Sequence, residues 1–340
     1  MALTRENHLS PLTAATVSTE TANIASTEWF PCEEGLVSAP RRVTRVLLDG
    51  LGIGECPRWH DDRLWFCNWG TNQIVAVDVE GNSEVVMDDA TVSPHSIDWL
   101  PDGRLLIVPG TATCGARLLV QDADGSLTPY GHLDGLPSGF NEITVDGRGN
   151  VYVNGADFDF LAFLDRAMKD MAAGDQTPLH ERPDFVPGYI ALITPDGTAR
   201  QVAGDIAFPN GMVVTPDNRT LIISESFTGT LTAFDIAEDG QLSNRRVFAD
   251  GLGPDGICID AEGAVWTSQG QRDCVRVAEG GKILDRVELE RDPFACMLGG
   301  PDGQTLFIMA AVWNPENPFG GPRTGQVLVT EAPARHVGWP

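Results

Sequence analysis

Basic residues are scarce in this chain: 23 Lys and Arg stand against 48 Asp and Glu, giving a formal net charge of -25 and a pI near 4.4. A surface that grips phosphates needs clustered Lys and Arg, so this balance argues against a nucleic-acid partner. Runs of about 18 apolar residues are absent, and no membrane span or membrane partner is expected. The N-terminus lacks a basic segment leading into an apolar one, so no secretory signal is visible. Cys-x-x-Cys pairs are missing too: Cys32, Cys56, Cys67, Cys114, Cys258, Cys274 and Cys296 are scattered and odd in number. That pattern suits reduced thiols in a cytoplasmic protein better than a zinc ribbon or a disulfide framework, with a pair to Cys32 the one bridge left open. A Gly-rich phosphate loop and a Gly-x-Ser-x-Gly nucleophile elbow are both lacking.

Turn chemistry is what the chain has in quantity. Its 37 Gly and 23 Pro accompany 42% hydrophobic residues, the composition of many short strands around a sizeable core. Residues 1–28 are rich in Ser, Thr, Ala and Asn without an apolar period, which predicts a mobile tail or a surface strap. Residues 29–340 read as one domain. Within it the stretch from Phe208 to Ser224 reads as polar turn, strand, tight Asp-Asn turn and second strand, and this grammar recurs six times. The copies begin near Gly54, Ser93, Gly139, Phe208, Gly253 and Pro293.

The inner turns set the period. Asp62 to Gly103 is 41 residues, Gly103 to Gly149 is 46, Asn218 to Gly263 is 45 and Gly263 to Gly303 is 40. These are the lengths of four-stranded propeller blades, so the predicted fold is all-β, a six-bladed β-propeller. One interval, Gly149 to Asn218, is 69 residues. Its excess coincides with helix-type apolar spacing from Asp157 to Ala173, which predicts a short helical insertion in the third blade over about residues 157–187. Ring closure is expected from residues 42–48 lying beside residues 325–330.

The first strand of a blade lines the central channel, so residues just before these strands would converge at one mouth. They are Glu55, His95, Asn141 with Glu142, Asn210 and Asp255, while the sixth blade offers Phe294 and Ala295. Carboxylate and amide oxygens from separate blades suit one hard divalent cation, calcium first, magnesium or manganese with retained waters, and zinc least. Taken singly, Asn210-Gly and Asp255-Gly could be turn residues and nothing more. The argument rests on four of six blades placing an oxygen ligand at one register. His95 titrates ordinarily near 6.5, which suits a base at neutral pH, although a channel histidine can also serve only to fill space.

Glu55 in Gly-Glu-Cys-Pro-Arg-Trp, Asn141 in Phe-Asn-Glu, Pro209-Asn-Gly, Pro254-Asp-Gly and Met297-Leu-Gly-Gly-Pro-Asp-Gly-Gln-Thr-Leu-Phe resemble motifs of the senescence-marker-protein/gluconolactonase (regucalcin-like) family. The likeness covers about residues 43–330 in motif order. It implies a six-bladed propeller with calcium or another divalent ion in its channel, hydrolysing lactones. By this resemblance Glu55, Asn210 and Asp255 are metal ligands, and Asn141 sits in the metal set or against substrate. Asp255 would double as the base. The Ser-Pro-His-Ser-Ile context also makes His95 resemble the catalytic histidine of paraoxonase-type lactonase propellers. The implied reaction is opening of a lactone or related ester, with the metal polarising the carbonyl while a base activates water.

The chain departs from that family in one respect: an Arg that holds sugar hydroxyls is replaced by Gly139, with Phe140 following. Phe140, Asn141 and Glu142, with Phe158 and Phe160 of the insertion as an apolar lid, are the expected substrate contacts, favouring a larger or less polar lactone. The same apolar residues could instead seat the helix. Competing readings are a non-enzymatic calcium-binding or docking propeller, and a related propeller enzyme such as a strictosidine-synthase-like one, which would need no metal.

Overall fold

Each of the six repeats becomes a four-stranded antiparallel sheet in the computed structural model, which describes residues 42–339 apart from 111–116, 138, 158, 271, 316 and 318. The innermost strands are Ile53–His60, Pro94–Trp99, Phe140–Val145, Pro209–Val214, Cys258–Ile259 and Asp292–Gly299. We number the blades 1 to 6 in that order. These strands are buried almost throughout, because one face packs on the neighbouring blade and the other lines the channel. The turns that set the period are left-handed where the hairpin twist requires it: Asp61 and Asp62 have φ of 47° and 57°, Asn218 has 55° and Gly103 has 84°.

Blade 6 is shared between the two ends of the described chain. Its outermost strand, Arg45–Leu51, pairs antiparallel with Gly325–Glu331, Arg45 facing Val329 and Leu51 facing Gly325. Arg42 extends the closure to blade 5, its Nε donating to Asp285 at 2.7 Å while Nη1 donates to the Glu331 carbonyl at 2.6 Å. Without this strand the 325–331 edge would be left open and the ring unclosed. Deleting residues 42–48 should therefore abolish folding; a soluble, monomeric truncation with an unchanged Tm would refute it.

A second tie was not foreseen. Residues 332–339 run past the ends of the inner strands on the face opposite the predicted site. The Ala332 N–H donates to Gln304, the His336 N–H to Gly303, and Arg335 accepts from Ala261. Trp339 and Val214 exchange backbone hydrogen bonds at 2.6 and 2.9 Å. The Trp339 indole lies on the Gly147 turn, where a Cβ would come within 2.7 Å of the ring. This strap thus visits blades 6, 5, 4 and 3 in succession.

The insertion lies between the second and third strands of blade 3. Its helix, Phe160–Ala172, starts at Asp159, whose carboxylate accepts the Ala162 N–H at 3.0 Å. Phe163, Leu164 and Ala167 form its buried face. No described helix is long and apolar enough to cross a membrane. The predicted tail at 1–28 lies outside the described residues, as do Cys32, Cys114 and Phe158. Cys56, Cys67, Cys258, Cys274 and Cys296 are free and buried.

Candidate functional site

Most of the predicted site residues sit slightly inside the inner strands, because five of the six strands are bulged where they reach the mouth, whereas Asp255 lies ahead of the short, unbulged strand Cys258–Ile259. Pairing skips between Glu55 and Arg58, Pro94 and Ser96, Phe140 and Ile143, Pro209 and Met212, and Pro293 and Ala295. A bulge re-aims the side chain it carries, and a proline there withholds no N–H that the ladder needs. Three blades use that device, at Pro94-His95, Pro209-Asn210 and Pro293-Phe294, and blade 5 repeats the Pro254-Asp255 order ahead of its strand.

The glycines after Asn210 and Asp255 are packing residues, not turn residues. Neither has a positive φ. A Cβ on Gly211 would lie 2.6 Å from the Ile257 nitrogen, and one on Gly256 would lie 2.5 Å from the Ala295 Cβ. Gly211 donates to the Asp255 carbonyl at 3.2 Å, Ser224 Oγ donates to the same oxygen at 2.7 Å, and Gly256 donates to Phe294 at 2.8 Å. Blades 4, 5 and 6 are thereby locked together at the residues in question.

Three carboxylates share this space. Burial lifts the Glu55 carboxyl well above the usual range, and the charges of Asp255 and Glu142 lift it further. Burial and then the Glu142 charge push Asp255 up to about 8, opposed by hydrogen bonds from Asn210 and the Gly256 N–H. Glu142 is pushed up to about 7 by burial, against the pull of Arg58. Asp255 Oδ1 is buried with no hydrogen-bond partner. Clustered anionic oxygens with an orphaned acceptor are costly as they stand, and an oxygen-seeking divalent cation between Glu55, Asn210 and Asp255 would relieve them. Among the described residues no three His, Cys, Asp or Glu side chains are grouped closely enough to hold a metal by themselves, so the fitting set needs the Asn210 amide. Ser226 steadies that amide: its Oγ accepts from Asn210 Nδ2 at 3.4 Å and donates to the Pro254 carbonyl at 2.8 Å.

Arg58 is the largest omission of the sequence reading. From blade 1 its Nη2 reaches blade 3, donating to the Ile143 carbonyl at 2.5 Å and Glu142 Oε1 at 3.4 Å. Its Nε stands 3.8 Å from Asp98 on blade 2. The side chain is buried, so Glu142 is held by a desolvated cation. A signal existed in Gly-Glu-Cys-Pro-Arg-Trp: an arginine inside a strand that must be buried has to find carboxylates across the channel. Asn154 was also missed. It is fully buried, donating to the Asn210 carbonyl at 2.7 Å and accepting the Glu142 N–H at 3.4 Å, so it spaces blade 3 from blade 4.

The remaining predicted residues divide. Asn141 Nδ2 donates to the Pro209 carbonyl at 3.2 Å, beside Asn210. The His95 ring lies 4.6 Å from Trp69, which donates to the His95 carbonyl at 3.0 Å, and fills the space left by Gly110, where a Cβ would meet Nε2 at 2.1 Å. Burial lowers its pKa to about 4, so it is neutral at pH 7. Phe140 turns into the apolar core between blades 2 and 3, edge-on to Tyr189 at 6.4 Å, away from the mouth. Phe160 stacks on Phe208 at 4.9 Å, and Phe208 on Phe227 at 4.3 Å. Those rings, with Phe163 on Phe227 at 5.7 Å, seat the helix on blade 4 two residues from Asn210.

Known proteins bear on this arrangement. The sequence model of the SMP-30/Gluconolactonase/LRE-like region matches residues 53–312. The chain is 25% identical over 280 residues to the pentonolactonase XacC of Haloferax volcanii, covering 79% of this chain and 85% of that protein. It is 30% identical over 289 residues to the regucalcin of Oryctolagus cuniculus, covering 79% and 87%. Among solved structures it is similar to a gluconolactonase from Xanthomonas campestris, with a TM-score of 0.65 at 21% identity over 89% of this chain and 96% of that one. With bulged inner strands, a matched span of five blades and more, and relatives of this kind, the chain belongs to the SMP-30/gluconolactonase/LRE-like family.

Proposed function

We propose that the protein is a divalent-metal-dependent hydrolase that opens a lactone or related cyclic ester. The observation that carries this reading is the oxygen-donor set of Glu55, Asn210 and Asp255, with Asp255 Oδ1 buried and unpartnered among like charges. The names of relatives support the chemistry, since pentonolactonase and gluconolactonase both describe lactone hydrolysis. Calcium is the ion we propose, with magnesium, manganese or zinc as substitutes; regucalcin from Agrobacterium tumefaciens, described as a calcium-binding protein, has the same fold.

A divalent cation held by these three residues would polarise the lactone carbonyl and stabilise the oxyanion that forms on it. Asp255 Oδ1 takes the proton of the attacking water, because it is buried at the site with no hydrogen-bond partner. As the ring C–O bond breaks, the same carboxyl returns that proton to the departing alkoxide, giving the hydroxy acid. Glu142 stays with Arg58 and so does not compete for the proton. Asn141 and Asn154, tied to the backbone at Pro209 and Asn210, hold blade 3 against blade 4 while this happens. To His95, neutral and wedged on Gly110, we assign the role of orienting substrate or acting as a second base.

The test is to strip the protein with a chelator and assay aliphatic, aromatic and sugar lactones with each ion restored in turn. Turnover is expected only with a divalent cation present. Metal-independent turnover, or none on any lactone or ester, would sink the reading.

A further inference from the structure

Phe294 occupies on blade 6 the place that His95 occupies on blade 2 and Asn210 on blade 4: one residue past a proline, at the bulge of the inner strand. Its carbonyl accepts the Gly256 N–H, so its backbone is bound to the residue next to Asp255. Its half-buried ring is tilted against Trp313, with centroids 5.7 Å apart. Trp313 is itself anchored, its N–H donating to Asp292 Oδ2 at 3.2 Å. Towards blade 1 the aromatic surface continues: Phe319, 40% exposed, meets the edge of Trp69 at 5.9 Å. The mouth therefore has two sides. Glu55, Asn210 and Asp255 of blades 1, 4 and 5 present oxygen donors, whereas Phe294 and Trp313 of blade 6, with Phe319 and Trp69 towards blade 1, present aromatic rings. On blade 3 Gly139 has no side chain and Phe140 turns into the core, and the Asn141 amide beside them already donates to the Pro209 carbonyl at 3.2 Å. Apolar surface bordering a polar site stays hydrated at a cost until an apolar group covers it.

We infer that Phe294, backed by Trp313, is a specificity wall that receives an alkyl or aryl substituent of the substrate. The preferred substrates are then lactones bearing an apolar side chain, not polyhydroxylated sugar lactones. This rests on the lactonase reading, and the experiment separates the two. With the full chain and divalent cation, kcat/KM is measured for γ-valerolactone, γ-octalactone, γ-nonalactone and D-gluconolactone. A half-exposed wall should give about twofold per added methylene, roughly half the effect of complete burial, and so about sixteenfold over the four methylenes from the first to the third. Phe294→Ala should bring that ratio close to one, while Phe294→Leu, which keeps an apolar contact, should retain most of it. D-gluconolactone outrunning every alkyl lactone would overturn the wall and leave the lactonase reading standing. Binding of the corresponding γ-alkyl lactams, which resist hydrolysis, is measured in parallel by calorimetry. Lactam affinity that rises with chain length, without turnover of any lactone, would support the wall and sink the lactonase reading. Turnover and lactam affinity that both ignore chain length would overturn the wall.

Discussion

Asp255→Asn should lower kcat on any lactone the protein opens by about a thousandfold, the scale of losing a general base and a charge at the reacting centre together. The same change should leave the metal-free protein at least as stable as wild type. The reason is desolvation first and charge second: burial and then the Glu142 charge push the Asp255 carboxyl up to about 8. The sign follows from linkage. A carboxyl raised in the folded state is still protonated there when the unfolded chain, near 3.9, has already ionised. The stability this confers is complete below about pH 4 and is lost as pH rises through about 8. Metal-free wild type should thus weaken across that window, on the order of a few kcal/mol. Asp255→Asn should flatten the decline, as should adding the cation to wild type. Tm against pH in chelator, alongside steady-state kinetics, checks both halves. Full kcat in the variant, or an unaltered Tm profile, would contradict the role assigned to Asp255.

Arg58→Met should produce the largest stability loss of any single change at the site. It strands Glu142 and Asp98 in the interior without their cation and frees the Ile143 carbonyl. Breaking a buried pair by removing one partner costs about 3–5 kcal/mol, which in a domain of this size lowers Tm by on the order of 10 °C. Because the penalty lies in the uncompensated charge, Arg58→Met combined with Glu142→Gln should recover part of the loss. Thermal melts of the two variants decide the matter, and an unchanged Tm in the single variant would show that Arg58 is not what neutralises the channel floor.

The ring was legible in the sequence because it is written in local chemistry. Asp61-Asp62, Gly103 and Asn218 are residues that tolerate left-handed turns, and their spacing counted the blades. The helix revealed itself as an interruption of that count. What failed to show were features held by partners far away along the chain. Residues 332–339 carry no period, since their ties are backbone bonds to Gln304, Gly303, Ala261 and Val214. Arg58 was visible as a letter in a motif, but nothing local says that its guanidinium reaches Ile143 and Glu142. Its neighbours in the motif point Phe140 to the substrate, yet the bulge that follows it sends the ring into the core beside Tyr189. Phe294 carries no ligand oxygen, so its place in the register gives no signal for a metal site.

Arg58 spans the channel beneath the carboxylates, and the 332–339 strap crosses the opposite face. Together they lace all six blades, the guanidinium joining blade 1 to blades 2 and 3 and the strap joining blades 3 to 6, so that parting any one seam strains ties held by its neighbours.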